Sequence, residues 1–183
     1  MKPIQPGQIL IADPYLQDGE FTRSVILMTH YAPDNTMGFI LNHPSTVYVN
    51  EVFVDFPDFD GLVHIGGPVD QNMMFFVHRL GEIIPDAIPI RKGLYFGGDF
   101  EILKTQIAAG RVKKNDIRFY LGYSGWGMDQ LHGEIDKGFW IQGQYNLKYQ
   151  FTNKADLVWG SALGKNKPEY KFFANYSFTP SLN

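Results

Sequence analysis

Gly122-Tyr123-Ser124-Gly125-Trp126-Gly127-Met128-Asp129-Gln130-Leu131 is the stretch on which the reading of the fold turns. An apolar run, Ile117 to Leu121, leads into it, and a helical pattern, Gln130 to Ile135, leads out. Three glycines and two large aromatics lie between. The order predicts a strand that enters a helix through a turn crowded with glycine. Such a junction gathers backbone N–H groups at the positive end of a helix dipole, where an anion or a polarised oxygen is favoured.

Upstream, Asp99 reads as the N-cap of a helix with apolar spacing at Ile102, Leu103 and Ile107, closed by Gly110 as the residue after the C-cap. Leu94 to Phe96 precedes it as a short strand. Pro85 and Pro89 make Ile83 to Ile90 loop-like. Nearer the start, Gln8 to Ala12, a run within Phe21 to His30 and Met37 to Leu41 read as strands, the last two as a hairpin across a turn at Ala32 to Thr36. Val25 to Met28 has the unbroken apolar character of a strand buried on both faces. Val49 to Phe53 reads as a short helix, Val63 to Ile65 and Met73 to His78 as strands. Downstream, the helix ends at Lys137-Gly138. Phe139 to Gln142 is a strand, and Ala155 to Leu163 a helix ended by Gly164. Strands dominate the first half and alternate with helices in the second, which predicts an α+β domain with mixed pairing. The 183 residues form one domain, 1–183, with a core at about 7–163 and a C-terminal extension at 164–183 whose last residues fray.

Net charge is −3. The densest basic run, Arg111, Lys113, Lys114 and Arg118, is broken by Asn115 and Asp116 and reads as a solvated face. Direct nucleic-acid binding is therefore not expected. There is no cysteine, which excludes disulfides, thiol nucleophiles and thiolate metal sites. The start of the chain lacks a signal-peptide pattern, and no apolar run reaches the ~20 residues needed to span a bilayer. A cytoplasmic chain without membrane attachment is expected.

Several runs resemble one family. Gly7 to Ala12 and Phe21 to Ile26 are similar to the opening of the YqgE/AlgH family of bacterial proteins. Met37-Gly38-Phe39-Ile40-Leu41-Asn42-His43-Pro44 resembles its second block, and Gly66-Gly67-Pro68-Val69 with His78 its third. Gly122 to Trp126 with Gln130, Leu131, Glu134, Ile135 and Trp140 resembles the fourth, and Trp159 with Ala162 and Leu163 the last. The resemblance implies a bifurcated mixed β-sheet curled into a pseudo-barrel with flanking helices. It brings no established catalytic residue. Members are labelled uncharacterised, or transcriptional regulators through a link to alginate regulation. This chain departs from the pattern at Ser124, Asp129 and His132, where alanine, a small residue and an acid are common.

The candidate chemistry is weighed against architecture. Ser124 follows a strand and precedes a helix, as a nucleophile-elbow serine does, but Trp126 stands where the elbow needs its second glycine. His30, His43, His64, His78 and His132 are all available as a base, and spacing selects none. Gly66-Gly67-Pro68 and Gly122 to Gly127 could together form a glycine-lined anion cleft, or the glycines could supply positive φ and close strand approach; the second reading is preferred. Asn42, His43 and His78 are polar groups at strand ends. Arg23, inside an apolar run, could pair with Asp13, Asp18 or Glu134, or bind an anion with its fork; an ion pair is preferred. Trp126, Trp140 and Trp159 read as core anchors. No histidine or acid spacing suggests a metal, and no cofactor is implied. The expectation is a non-enzymatic regulator, indirect if it acts on transcription. It would bind a small anion or a protein partner through a cleft that includes Arg23, Asn42, His43, Gly66, Gly67, His78, Gly122, Tyr123, Gly125, Trp126, Gln130 and Glu134. The alternatives are an enzyme acting on an anionic small molecule, with Ser124 in reserve, and a purely structural interaction module.

Overall fold

The computed structural model describes residues 3–32 and 35–174. Ten strands form the sheet: β1 (Gln8–Ala12), β2 (Val25–Ala32), β3 (Asn35–Ile40), β4 (Pro44–Tyr48), β5 (Leu62–Ile65), β6 (Val69–His78), β7 (Ile88–Arg91), β8 (Leu94–Phe96), β9 (Ile117–Trp126) and β10 (Trp140–Gln144). Six helices accompany them: α1 (Val49–Val52), α2 (Phe100–Ala108), α3 (Met128–Asp136), α4 (Leu147–Gln150), α5 (Val158–Asn166) and α6 (Lys171–Ala174). The strand order is β10-β1-β2-β3-β9-β6-β8-β7, with β5 pairing β9 and β4 pairing β5. Only the β5–β9 pair is parallel among the described strands.

The fold is thus α+β with a mixed, mostly antiparallel sheet. The closure into a pseudo-barrel does not follow. The order is open, with β10 and β7 at its ends, and among the described residues no pairing joins them.

Alternation explains the layers. In β1, Ile9 and Ile11 face one core and Leu10 and Ala12 another; in β2, Val25 and Leu27 are opposed to Ile26 and Met28. Successive side chains of a strand point to opposite faces, so an unbroken apolar run needs cover on both. Trp159, Ala162 and Leu163 of α5 cover the first face, and Leu131 of α3 with Trp126 and Trp140 covers the second. A third cluster packs Leu103 and Ile107 of α2 against Val63, Phe76 and Phe119. Asp99 caps α2 as expected, its carboxylate accepting from the Ile102 N–H at 2.9 Å, and Gly110 follows with φ +68°.

The deciding stretch differs from expectation. The strand does not stop at Leu121; β9 runs on to Trp126, and α3 begins two residues later with Gly127 as N-cap. Gly122, at φ +66°, is a bend within the strand. Before it, β9 lies between β5 and β6; after it, Ser124 to Trp126 pair with β3. A Cβ at Gly122 would stand 2.6 Å from the Gly67 carbonyl oxygen, so only glycine passes.

Smaller differences have local reasons. Ile88–Arg91 forms β7 despite Pro89, because β7 is an edge strand with an irregularity between Pro89 and Arg91, where a missing N–H is tolerated. Gly164 lies inside α5, which extends to Asn166. Tyr170 and Phe173, in the expected extension, pack against the core of α5 and β1. The β2–β3 hairpin forms, with β2 reaching Ala32 and β3 starting at Asn35; residues 33–34 and the expected frayed end at 179–183 lie outside the described residues. Among the described residues no helix is long and apolar enough to cross a membrane.

Candidate functional site

The centre of the β9–α3 junction is a carboxylate. Glu134 Oε2 accepts from Trp126 Nε1 at 2.9 Å and from Trp140 Nε1 at 2.8 Å, and Glu134 Oε1 accepts from Gln130 Nε2 at 2.9 Å. Gln130 also turns its carbonyl back to the Gly127 N–H, closing the first turn of α3. Glu134 and Gln130 are four apart on a helix and share one face. The two indoles stand edge to face, 5.9 Å between centroids at 88°, and Phe21 completes the group, stacked on Trp126 at 6.2 Å and edge-on to Trp140 at 5.5 Å. A charge-assisted bond to each indole N–H fixes both rings against α3.

Beside this group lies a cavity of about 500 Å³. Gly125, Trp126, Gln130 and Glu134 line it, together with Asp18, Phe21, Pro68 and Trp140. The first four were foreseen as one cleft. The loop at 15–18 was not, because nothing in its sequence couples it to α3. Among the described residues, two carboxylates and no Lys or Arg line the space.

The other expected residues lie elsewhere. Gly66, Gly67, Gly122 and Tyr123 do meet, but as packed backbone. A Cβ on Gly66 would stand 2.3 Å from the Gly122 carbonyl oxygen, and one on Gly67, at φ +154°, 2.3 Å from the Tyr123 carbonyl carbon. Ser124 is fully buried inside β9, and its hydroxyl donates to the Gly66 carbonyl at 3.0 Å, the same oxygen that accepts from the Ile40 N–H. It is no elbow serine; its neighbours are another strand. Asn42 braces a strained turn: its side chain accepts from the Val25 N–H at 2.8 Å and donates to the Arg23 carbonyl at 2.9 Å, with Arg23 held at φ +55°. The Arg23 guanidinium lies over the Trp159 ring, 5.0 Å from its centroid, while the Glu134 oxygens go to the indoles and Gln130. His78 is buried; its Nε2–H donates to the Gly97 carbonyl and its Nδ1 accepts from the Leu80 N–H, which fixes the neutral tautomer, and burial lowers its pKa. His132 Nε2 is 3.1 Å from the Tyr31 hydroxyl, tying α3 to β2. Among the described residues, no group of three His, Cys, Asp or Glu converges as metal ligands.

A second cavity, of about 260 Å³, opens where β5 and β9 run parallel. Its lining includes His64, Lys114, Asp60 and Arg118. Arg118 is only 8% exposed, so the basic run read as a solvated face is solvated only in part. The signal was a single charge inside the apolar run Ile117 to Leu121. His43 lies near enough to His64 to bear on its protonation, and burial lowers the pKa of both rings.

Comparison with other proteins places this architecture. The sequence pattern of the AlgH-like family matches residues 9–171. A UPF0301 protein of Cytophaga hutchinsonii is 40% identical over 178 residues, covering 97% of this chain and 98% of its own. One of Parabacteroides distasonis is 39% identical, covering 99% and 92%. The solution structure of the AlgH protein of Pseudomonas aeruginosa aligns with a TM-score of 0.71 at 24% identity, over 98% of this chain and all of that one. A crystal structure of a Corynebacterium diphtheriae protein aligns with a TM-score of 0.79 at 22% identity, over 96% and 94%. The two structures speak for the fold alone.

Proposed function

This chain belongs to the AlgH-like family, and on that premise we propose that it is a non-catalytic binding protein with a regulatory role, whose site is the cavity at the β9–α3 junction. One observation carries the reading: Glu134 locks Trp126 and Trp140 together as a wall of a cavity large enough for a small ligand or a partner side chain. Asp18 and Glu134 in the lining, with no lysine or arginine among the described residues there, favour a cationic or neutral hydrogen-bonding group over an anion. The buried hydroxyl of Ser124 offers no support to the enzymatic alternative. A role in transcription would be indirect, given the net charge of −3.

The test uses the indoles themselves. A panel of amines, amides and short basic peptides is titrated while tryptophan fluorescence is followed, with Glu134→Gln and Gly125→Leu in parallel. The reading expects a saturable change that both variants lose while thermal unfolding stays cooperative. A saturable ligand whose affinity neither variant alters would place the site elsewhere. No ligand across the panel, with a partner protein retained regardless of Glu134, would favour a purely structural module.

A further inference from the structure

Arg118 is buried, and among the described residues no anion pairs with it. It is the second residue of β9, and among the described residues its side chain bonds to main-chain carbonyls: one terminal nitrogen donates to Leu41 at 3.3 Å and the other to Thr152 at 3.1 Å. A guanidinium carries five N–H donors. None of the ion pairs among the described residues includes Arg118. Buried charges are ordinarily paired, because desolvation is costly and a neutral carbonyl offsets it only in part. Burial pulls the Arg118 pKa below its usual value, yet an arginine stays protonated.

The side chain is not sealed off. It lines the 260 Å³ cavity beside the paired β5 and β9, whose rim carries Lys114, held by Asp60 at 2.9 Å with both groups largely in solvent. His64 lines the same space and is neutral; burial first, and Arg118 second, push its pKa down to about 3. Among the described residues, the lining therefore holds two permanent cations against one carboxylate. Its volume falls below the ~300–1,000 Å³ of sites for drug-sized ligands, so the occupant is small.

We propose that this cavity is an anion site in which Arg118 and Lys114 hold a phosphate group, free or at the end of a small monoester. Two of the guanidinium's five N–H donors go to carbonyls, which leaves three for an oxyanion, and Lys114 adds a point charge. Asp60 occupies Lys114 in the empty state and is the group an incoming anion displaces. The proposal is independent of the Glu134 cavity.

Calorimetric titration of the full chain with inorganic phosphate at constant ionic strength, with chloride as the background anion, tests it. One saturable site is expected. Asp60→Asn removes a like charge and frees Lys114, and should tighten binding roughly 3- to 10-fold; Lys114→Met should weaken it by a similar factor. Arg118→Met should abolish it. Should that variant fail to fold, the two rim variants decide, since both residues are exposed. Glu134→Gln should leave phosphate affinity unchanged. A parallel titration with glycerol phosphate separates the two forms of the ligand: tighter binding than inorganic phosphate identifies a monoester, and equal or weaker binding identifies the free ion. Absence of saturable phosphate binding to the unmodified chain, or an affinity unmoved by both rim variants, overturns the proposal.

Discussion

Lowering the pH from 7 to 5 should destabilise this protein, in part through His64. The ring is 5% exposed, contacts Tyr120 edge to face at 6.0 Å and has Nδ1 3.3 Å from the Leu62 carbonyl. Its pKa falls from 6.5 to about 3, through burial first, then Arg118, with His43 a lesser contributor and the Leu62 carbonyl opposing. The sign follows from where the proton goes. Below pH 6.5 the unfolded chain takes up a proton at this position and the folded chain does not, so the unfolded state gains and stability falls with pH. The loss starts near the unfolded pKa and is complete only near pH 3. At pH 5, roughly 1.5 units below the unfolded value, the cost is about 2 kcal/mol at ~1.4 kcal/mol per unit. The lowered pKa values of His43 and His78 act in the same direction. Urea unfolding at pH 7 and pH 5, with and without His64→Asn, measures it. The variant loses packing and is less stable at both pH values, but its stability should differ between them by about 2 kcal/mol less than that of the unmodified chain. An equal pH dependence in the two proteins, at unchanged denaturant slope, would refute a buried neutral His64.

Four further outcomes follow from packing and capping. Gly67→Ala, with φ +154° and a Cβ 2.3 Å from Tyr123, should cost about 3–5 kcal/mol in thermal or chemical unfolding. Gly133→Ala, within α3 where a Cβ meets nothing within 4 Å, should instead stabilise by roughly 0.5–1 kcal/mol. Ser124→Ala should cost no more than ~1 kcal/mol, because the Gly66 carbonyl keeps its bond from Ile40; a loss of several kcal/mol would mean that the hydroxyl holds the strand crossing. Asp99→Ala should cost about 1 kcal/mol through the open N-terminus of α2, read as a lower unfolding midpoint.

The sequence by itself determined what depends on neighbours along the chain. Val25 to Met28 is apolar at every position, so this strand had to be covered on two faces, whatever covered it. Asp99 and Gly110 bound α2 because capping involves only the nearest backbone groups. Gln130 and Glu134 were legible as one helix face for the same reason.

Tertiary structure decided the rest. A glycine at positive φ serves a turn or a bend in a strand equally well, and only the arrival of Gly67 against Gly122 makes 122–126 strand. Ser124 looked available until the Gly66 carbonyl, 58 positions away, closed over it. Glu134 was one of three acids open to Arg23, and in the fold its oxygens go to both indoles and Gln130. Arg118 looked like one more solvated charge. Four successive basic positions share a composition, but Arg111, Lys113 and Lys114 precede β9 and face water, whereas Arg118 is inside a strand with β5 on one side and β6 on the other. Burial depends on what packs alongside, and that is settled by pairings between residues far apart in the chain, which no local pattern encodes.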